Sequence, residues 1–219
     1  MNVFDILGPV MIGPSSSHTA GAARIGRIAC SLLGEPAVRA EIRLHGSFAK
    51  TYKGHGTDKA LIAGIMGMEP DDERIRFSPQ LAKEQGLQVS IQPTEIEGAH
   101  PNTAYLILTG ASGKTVRLQG ASIGGGNILV TSVNDMEVQI SGQYTTLIVL
   151  HQDTPGTIAA VTDVLAAEQV NICNFRLSRQ KKGGVAVMTI ETDGRLSPSL
   201  NSRIEELPNI LSSTMLLPN

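Results

Sequence analysis

The hydrophobic positions of the chain change rhythm along its length. From residue 144 they alternate in blocks. "TTLIVLH" is a β-rich run, and "DTPGTIAAVTDVLAAEQ" spaces Ile158, Val161, Val164 and Leu165 as one face of a helix. "VNICNFRLSR" reads as a strand, "KKGG" as a turn and "VAVMTIET" as a strand, followed by a helix in "SPSLNSRIEELPN" and a strand in "ILSSTMLL". The order βαββαβ predicts a ferredoxin-like sandwich, four antiparallel strands with both helices on one face.

The first part of the chain is richer in glycine and less regular. Ala22, Ile25, Ile28, Ala29 and Leu32 share one side of a helix predicted over 18–33, which Gly34 ends. Further helices are predicted at 57–67 and 79–85. Strands are predicted at 40–45, 87–92, 103–109, 114–120, 127–133 and 136–141, with "GASG" (110–113) as a hairpin turn. The fold class is therefore α+β: a mixed domain over 1–143 and a ferredoxin-like domain over 146–219, joined near Gly142 to Thr145.

Composition narrows the function. The 219 residues are 41% hydrophobic and 17% charged, enough for one or two real cores. A net charge of −2 without basic clusters beyond Lys181-Lys182 gives no nucleic-acid or membrane footprint. Apolar runs such as 147–150 are far shorter than a membrane span of roughly 20 residues. The opening residues lack a secretory pattern, so the expected location is cytoplasmic. Cys30 and Cys173 stand far apart, without the spacing of a four-cysteine metal site.

Three loops concentrate histidine among small residues: "GPSSSHT" (13–19), "GHGTD" (54–58) and "GAHPNT" (98–103). Ser15, Ser16 and Ser17 precede a helix, where one hydroxyl can cap it while the others face an anion. A helix N-terminus also disfavours the imidazolium form of His18, leaving a neutral ring able to take a proton near pH 7. Gly54 and Gly56 flank His55, and Asp58 can cap the next helix or orient an imidazole. His100, Asn102 and Thr103 lead into a strand. Each loop also has a purely structural reading as a cap or turn. Other motifs fail: "GPSSSHT" lacks the Gly-Lys ending of a P-loop, "GASIGGGN" lacks dinucleotide spacing, "SFAK" matches Ser-x-x-Lys without its companions, and no HExxH occurs.

"GPSSSHT", "GSFAKTYKGHGTDKALIAGIMG", "HPNT" and "GASIGGGNI", in that order, resemble the β subunit of bacterial iron-sulfur L-serine dehydratases. Residues 145–219, through "DTPG", "VNI" and "GGVAVMTIETD", resemble an ACT domain, a small module that commonly binds amino acids. The resemblance implies an L-serine ammonia-lyase of amino-acid catabolism and gluconeogenesis, forming pyruvate and ammonia without pyridoxal phosphate. It implies a [4Fe-4S] cluster held by three cysteines of a partner α subunit, with one iron open as a Lewis acid. This chain would be the other half of a heterodimer, inactive alone and holding no metal itself. The first domain is similar to the allosteric substrate-binding domain of some phosphoglycerate dehydrogenases.

On that resemblance His55, His18 and His100 are the candidate catalytic residues, with His55 favoured as base or proton relay and the roles of the three interchangeable on the sequence. Ser15, Ser16, Ser17, Thr19 and Asn102 would bind L-serine. Asp153, Pro155, Gly156 and Asn171 would line an amino-acid effector site or an ACT–ACT pairing surface. The alternative is a subunit that senses an amino acid and regulates a partner without touching the reacting atoms.

Overall fold

The computed structural model describes residue 13, residues 15–194 and residues 196–218. It falls into two compact units, one ending at Asp135 and one beginning at Met136, so the border precedes the 142–145 segment at which the sequence places the junction.

In the first unit a π-helical turn (Ser16–Gly21) runs directly into α1 (Ala22–Leu33), which Gly34 closes in the left-handed conformation, φ 73°. β1 (Ala37–Leu44) follows, then α2 (Gly46–His55), α3 (Thr57–Ile65), a short 3-10 turn (Glu73–Phe77) and α4 (Ser78–Glu84). The remaining strands are β2 (Gln88–Pro93), β3 (Thr103–Gly110), β4 (Thr115–Gly124) and β5 (Asn127–Val133). Within this unit the sheet runs β2-β1-β3-β4-β5. β1 pairs with β2 in parallel and with β3 antiparallel. A parallel pair needs a long crossover, and α2, α3 and α4 fill it.

The sequence pattern does not reveal α2. Phe48 is its one fully buried side chain, and glycines stand at 46 and 54, so apolar periodicity is nearly absent. Tertiary contact builds the helix. Phe48 N–H donates to Pro101 O at 3.3 Å and Ala49 N–H to His45 O. A Cβ on Gly46 would lie 2.6 Å from Pro101 O, so only glycine lets this helix start approach the "HPNT" turn.

Two further glycines seat α1 on α3. A Cβ on Gly64 would fall 2.1 Å from Ala23 O, and one on Gly26 would fall 2.6 Å from Leu61 O. The helices touch backbone to backbone there. That contact fixes the π-helical turn ahead of α1 and the His55 end ahead of α3 in one frame.

The second unit begins with β6 (Met136–Ile140) and continues β7 (Thr145–Gln152), α5 (Thr157–Ala167), β8 (Ile172–Arg179), β9 (Val185–Thr192), α6 (Pro198–Glu205) and β10 (Ile210–Leu216). Its four-stranded sheet has the order β10-β7-β9-β8 with antiparallel neighbours. This is the βαββαβ sandwich expected. Leu147, Val149, Met188 and Ile190 of the sheet pack with Val161 and Leu165 of α5 and Leu200 and Ile204 of α6. Ile158, counted on the buried face by spacing, is instead 40% exposed, because the buried row of α5 is Thr157, Val161 and Leu165 and Ile158 lies beside it.

Candidate active site

Ser15 opens the site. Its backbone is extended (φ −147°, ψ 124°), and its Oγ accepts the His18 N–H at 3.3 Å, the N-cap role that short hydroxyl side chains serve. Thr19 N–H closes onto Ser15 O at 2.8 Å. The turn holds Ser16, Ser17 and His18 half-buried and carries Thr19 inward, 2% exposed with its Oγ1 unpartnered. Pro14, within the "GPSSSHT" motif, lies outside the described residues.

α2 presents a polar stripe to this turn. Ser47, Thr51 and His55 recur every four residues and so share one helix face. Thr51 Oγ1 lies 3.1 Å and Ser47 Oγ 3.4 Å from His18 Nε2, while Ser15 Oγ lies 3.3 Å from His18 Nδ1. The Thr51 hydroxyl donates to Ser47 O at 2.8 Å, so its lone pairs face the ring. Ser15 Oγ already accepts from the His18 backbone, which leaves its proton for Nδ1. This network assigns the Nε2–H tautomer, with both ring nitrogens occupied.

The His55 ring stands 4.8 Å from that of His18, centroid to centroid, inclined by 38°. Phe48 packs on the other side of His18 at 5.2 Å. Burial, and then the neighbouring His55, push the His18 pKa below its ordinary 6.5, favouring the neutral ring. His55 itself is exposed and makes no hydrogen bond through its ring among the described residues. It ends α2, with Gly56 left-handed at φ 72° between it and α3. His55 is therefore a helix-end residue where the sequence suggests a loop. Gly56, and not Asp58, occupies the N-cap of α3; the Asp58 carboxylate accepts the Lys59 N–H at 2.9 Å.

His100 is exposed and shapes its own turn: its Nδ1 accepts the Asn102 N–H at 3.1 Å, and Thr103 Oγ1 donates to its carbonyl at 2.7 Å. Asn102 Nδ2 reaches Ser122 O at 3.4 Å on β4. The turn meets the site through Pro101 and the start of α2. No hydrogen bond joins His100 to His18 or His55 among the described residues. Ser122 Oγ is buried and unpartnered against Gly21, where any Cβ would fall 2.2 Å from it. Arg24 then donates to Gly126 O at 2.6 Å, so "GASIGGGN" backs the "GPSSSHT" turn.

Sequence reasoning missed Ser47 and Thr51, and the i, i+4, i+8 recurrence with His55 is the signal that marks them. It also missed Lys53, Lys59 and Arg76, which line a cavity of about 260 Å³ together with Gly13, Thr19, Gly54, His55, Gly56 and Ile75. Arg76 lies far along the chain from the histidine loops, and no local pattern connects it to them.

In the second unit Asp153 Oδ2 accepts from Arg179 at 2.8 Å and from the Gly183 N–H at 3.0 Å. That backbone bond, then the Arg179 bond, hold its carboxyl below the usual 3.8. Asn171 donates to Asp193 at 2.6 Å. Asp153 therefore ties down the β8–β9 turn, whereas Asn171 sits before β8 beside the far end of β9. Pro155 and Gly156 (φ 89°) open α5. Asp153 and Asn171 stand at opposite ends of the β8–β9 ladder.

Comparison with known proteins gives the family of the chain. Residues 2–93 match the family model described as serine dehydratase beta chain, and residues 145–209 match that of the ACT domain. The chain is 44% identical over 215 residues to the probable L-serine dehydratase, beta chain, of Bacillus subtilis (strain 168), covering 98% of this chain and 97% of the relative. The chain belongs to the serine dehydratase beta chain family. The L-serine dehydratase, beta chain, of Peptoniphilus asaccharolyticus is 38% identical over 204 residues, covering 93% and 92%. The D-3-phosphoglycerate dehydrogenase of Bacillus subtilis (strain 168) is 24% identical over 196 residues, 89% of this chain but 37% of that protein.

The donor set of this chain does not fit an iron-sulfur cluster, which is held mainly by several thiolates. Cys30 lies in α1 of the first unit and Cys173 in β8 of the second. Burial pushes the Cys30 thiol up from 9.0, and burial with the Asp193 and Glu191 charges does the same for Cys173, so both favour the protonated form. No group of three or more His, Cys, Asp or Glu side chains suited to a metal occurs among the described residues, nor any helix long and apolar enough to cross a membrane.

Proposed function

We propose that this chain supplies the proton-handling part of an L-serine dehydratase active site, completed by a partner α subunit that carries the [4Fe-4S] cluster. The observation that carries the reading is the His18–His55 pair, one ring fully hydrogen-bonded and the other exposed. His55 is the base that takes the α-proton of L-serine. His18, neutral and held by Ser15 and Thr51, positions the neighbouring ring and keeps a second positive charge away from it. Ser16, Ser17 and Thr19 offer short polar groups to the substrate, and Asn102 holds the wall formed by β4.

Removal of the α-proton and departure of the β-hydroxyl give aminoacrylate, which tautomerises to the imine and hydrolyses to pyruvate and ammonia. Departure of the hydroxyl falls to the partner chain, since no donor set here holds a cluster. The exposure of His55 fits a half-site that another chain covers.

The ACT domain and the similarity to a D-3-phosphoglycerate dehydrogenase over most of the chain favour a second reading, an amino-acid-sensing regulatory subunit. In that reading Asp153, Pro155, Gly156 and Asn171 line an effector or pairing site. Because Asp153 and Asn171 lie at opposite ends of one ladder, a single ligand touching both would lie between two paired modules. Anaerobic pyruvate formation by this chain, by its co-purifying partner and by the two combined separates the readings. Activity only in the combination, lost on His55→Ala at saturating L-serine, supports the catalytic role. Activity of the partner alone, merely tuned by this chain, overturns it.

A further inference from the structure

The cavity beside His55 has a one-sided charge. Lys53, Lys59 and Arg76 line it, and no carboxylate does among the described residues. Seven arginines elsewhere pair with acids, including Arg27 with Glu69 and Arg74 with Asp72, whereas Lys53, Lys59 and Arg76 have no carboxylate partner among the described residues to offset their charge. Three like charges gathered around one small cavity repel one another, and an anion relieves that repulsion.

A second observation points to a ligand at the same place. Thr19 lines the cavity, is 2% exposed and leaves its Oγ1 without a partner among the described residues. A buried hydroxyl left unpaired is destabilising, and a bound ligand atom would satisfy it. The volume of about 260 Å³ falls below the roughly 300–1,000 Å³ typical of drug-sized ligands, so it suits a small metabolite. Arg76 is steadied by Phe77, whose ring centroid lies 4.9 Å from its Cζ.

We propose that Lys53, Lys59 and Arg76 form a carboxylate subsite, which binds the carboxylate of the amino-acid substrate beside His55. The proposal rests on the reading of His55 as the substrate-facing base. It goes further in assigning specificity: the site selects amino acids that bear a free carboxylate, and it rejects 2-amino-1,3-propanediol, which keeps the amine and hydroxyl of serine without it.

The test uses the assembled enzyme, this chain with its partner. Lys59→Ala and Arg76→Gln should each raise KM for L-serine about tenfold or more while kcat stays within about twofold, the signature of lost ground-state binding. Lys59→Arg should restore most of the loss. Acetate should compete with L-serine in the parent and lose about as much affinity as L-serine in both variants. Both side chains are exposed, so unchanged thermal midpoints are expected and serve as the folding control. Unaltered KM and unaltered acetate inhibition in both variants would overturn the subsite. If His55→Ala removes turnover while these variants behave as the parent, the subsite alone falls; if His55→Ala retains kcat, the catalytic reading on which it rests falls first.

Discussion

The ring of His18 lies 4.8 Å from that of His55, and only the ring of His18 is hydrogen-bonded among the described residues. Ser15 and Thr51 occupy the nitrogens of His18, while His55 is exposed and those of its ring have no hydrogen-bond partner among the described residues. His55→Ala should therefore lower kcat of the assembled enzyme by about 10²- to 10⁴-fold, the usual contribution of a general base. His18→Ala should cost less in kcat. Steady-state pyruvate formation at saturating L-serine measures both, and equal losses would remove the distinction in roles.

Thr51 joins the α2 backbone to the His18 ring: it donates to Ser47 O and accepts from Nε2. Thr51→Val keeps the shape and deletes both bonds. Losing the fixed orientation of His18 should reduce kcat about fivefold, on the order of one hydrogen bond, and Thr51→Ser should recover it. An unchanged kcat in Thr51→Val would show that His18 needs no such anchor.

For His18 the folded pKa lies below the unfolded 6.5. Between those two values the unfolded chain binds a proton that the folded chain does not, so stability rises with pH. The contribution is fully present above pH 6.5 and is lost as pH falls through the folded pKa. In an NMR titration the His18 midpoint should fall below 6.5. With His55→Ala it should move upward yet stay under 6.5, because burial is the larger cause. A midpoint at or above 6.5 in the parent chain would contradict this.

Gly64 allows α3 to touch α1 at Ala23 O. Gly64→Ala should destabilise the first unit by about 1–3 kcal/mol, as inserted methyl groups do in tight contacts. Since the same contact fixes the His18 turn relative to His55, activity should fall below the transition temperature as well. Thermal melts alongside kinetics would check both, and an unshifted melt would mean that the helices separate without penalty.

Removing residues 146–219 addresses the second unit. Under the proposed regulation the truncated chain should change the oligomeric state of the assembly or its dependence on L-serine concentration. Sedimentation and kinetics read these directly. No change in either would leave Asp153, Pro155, Gly156 and Asn171 without a regulatory role.

The second unit was almost wholly legible in the sequence because its helices bury one regular face, Val161 and Leu165 in α5 and Leu200 and Ile204 in α6, while β7 and β9 are short β-rich runs bounded by turns and buried almost throughout. Local periodicity carries that information. In the first unit α1 and α3 followed from the same rule, and the small, polar composition of the three loops drew attention to His18, His55 and His100. By itself the sequence also specified a cap among Ser15, Ser16 and Ser17 and two cysteines too widely spaced to form a cluster set; the structure gives the cap to Ser15.

Only the tertiary structure decided the rest. Helix α2 buries one large side chain and owes its first turn to Pro101, a contact between segments distant in sequence, so no local pattern announces it. That helix places Ser47 and Thr51 on His18 and His55 beside it, and thereby gives two otherwise equivalent histidines different partners. The cation-lined cavity likewise draws Arg76 to Lys53 and Lys59 through the packing of the 3-10 turn near α3. Elements come from short-range periodicity, whereas the chemistry of the site comes from which loop ends the packed glycines Gly26, Gly46 and Gly64 allow to meet.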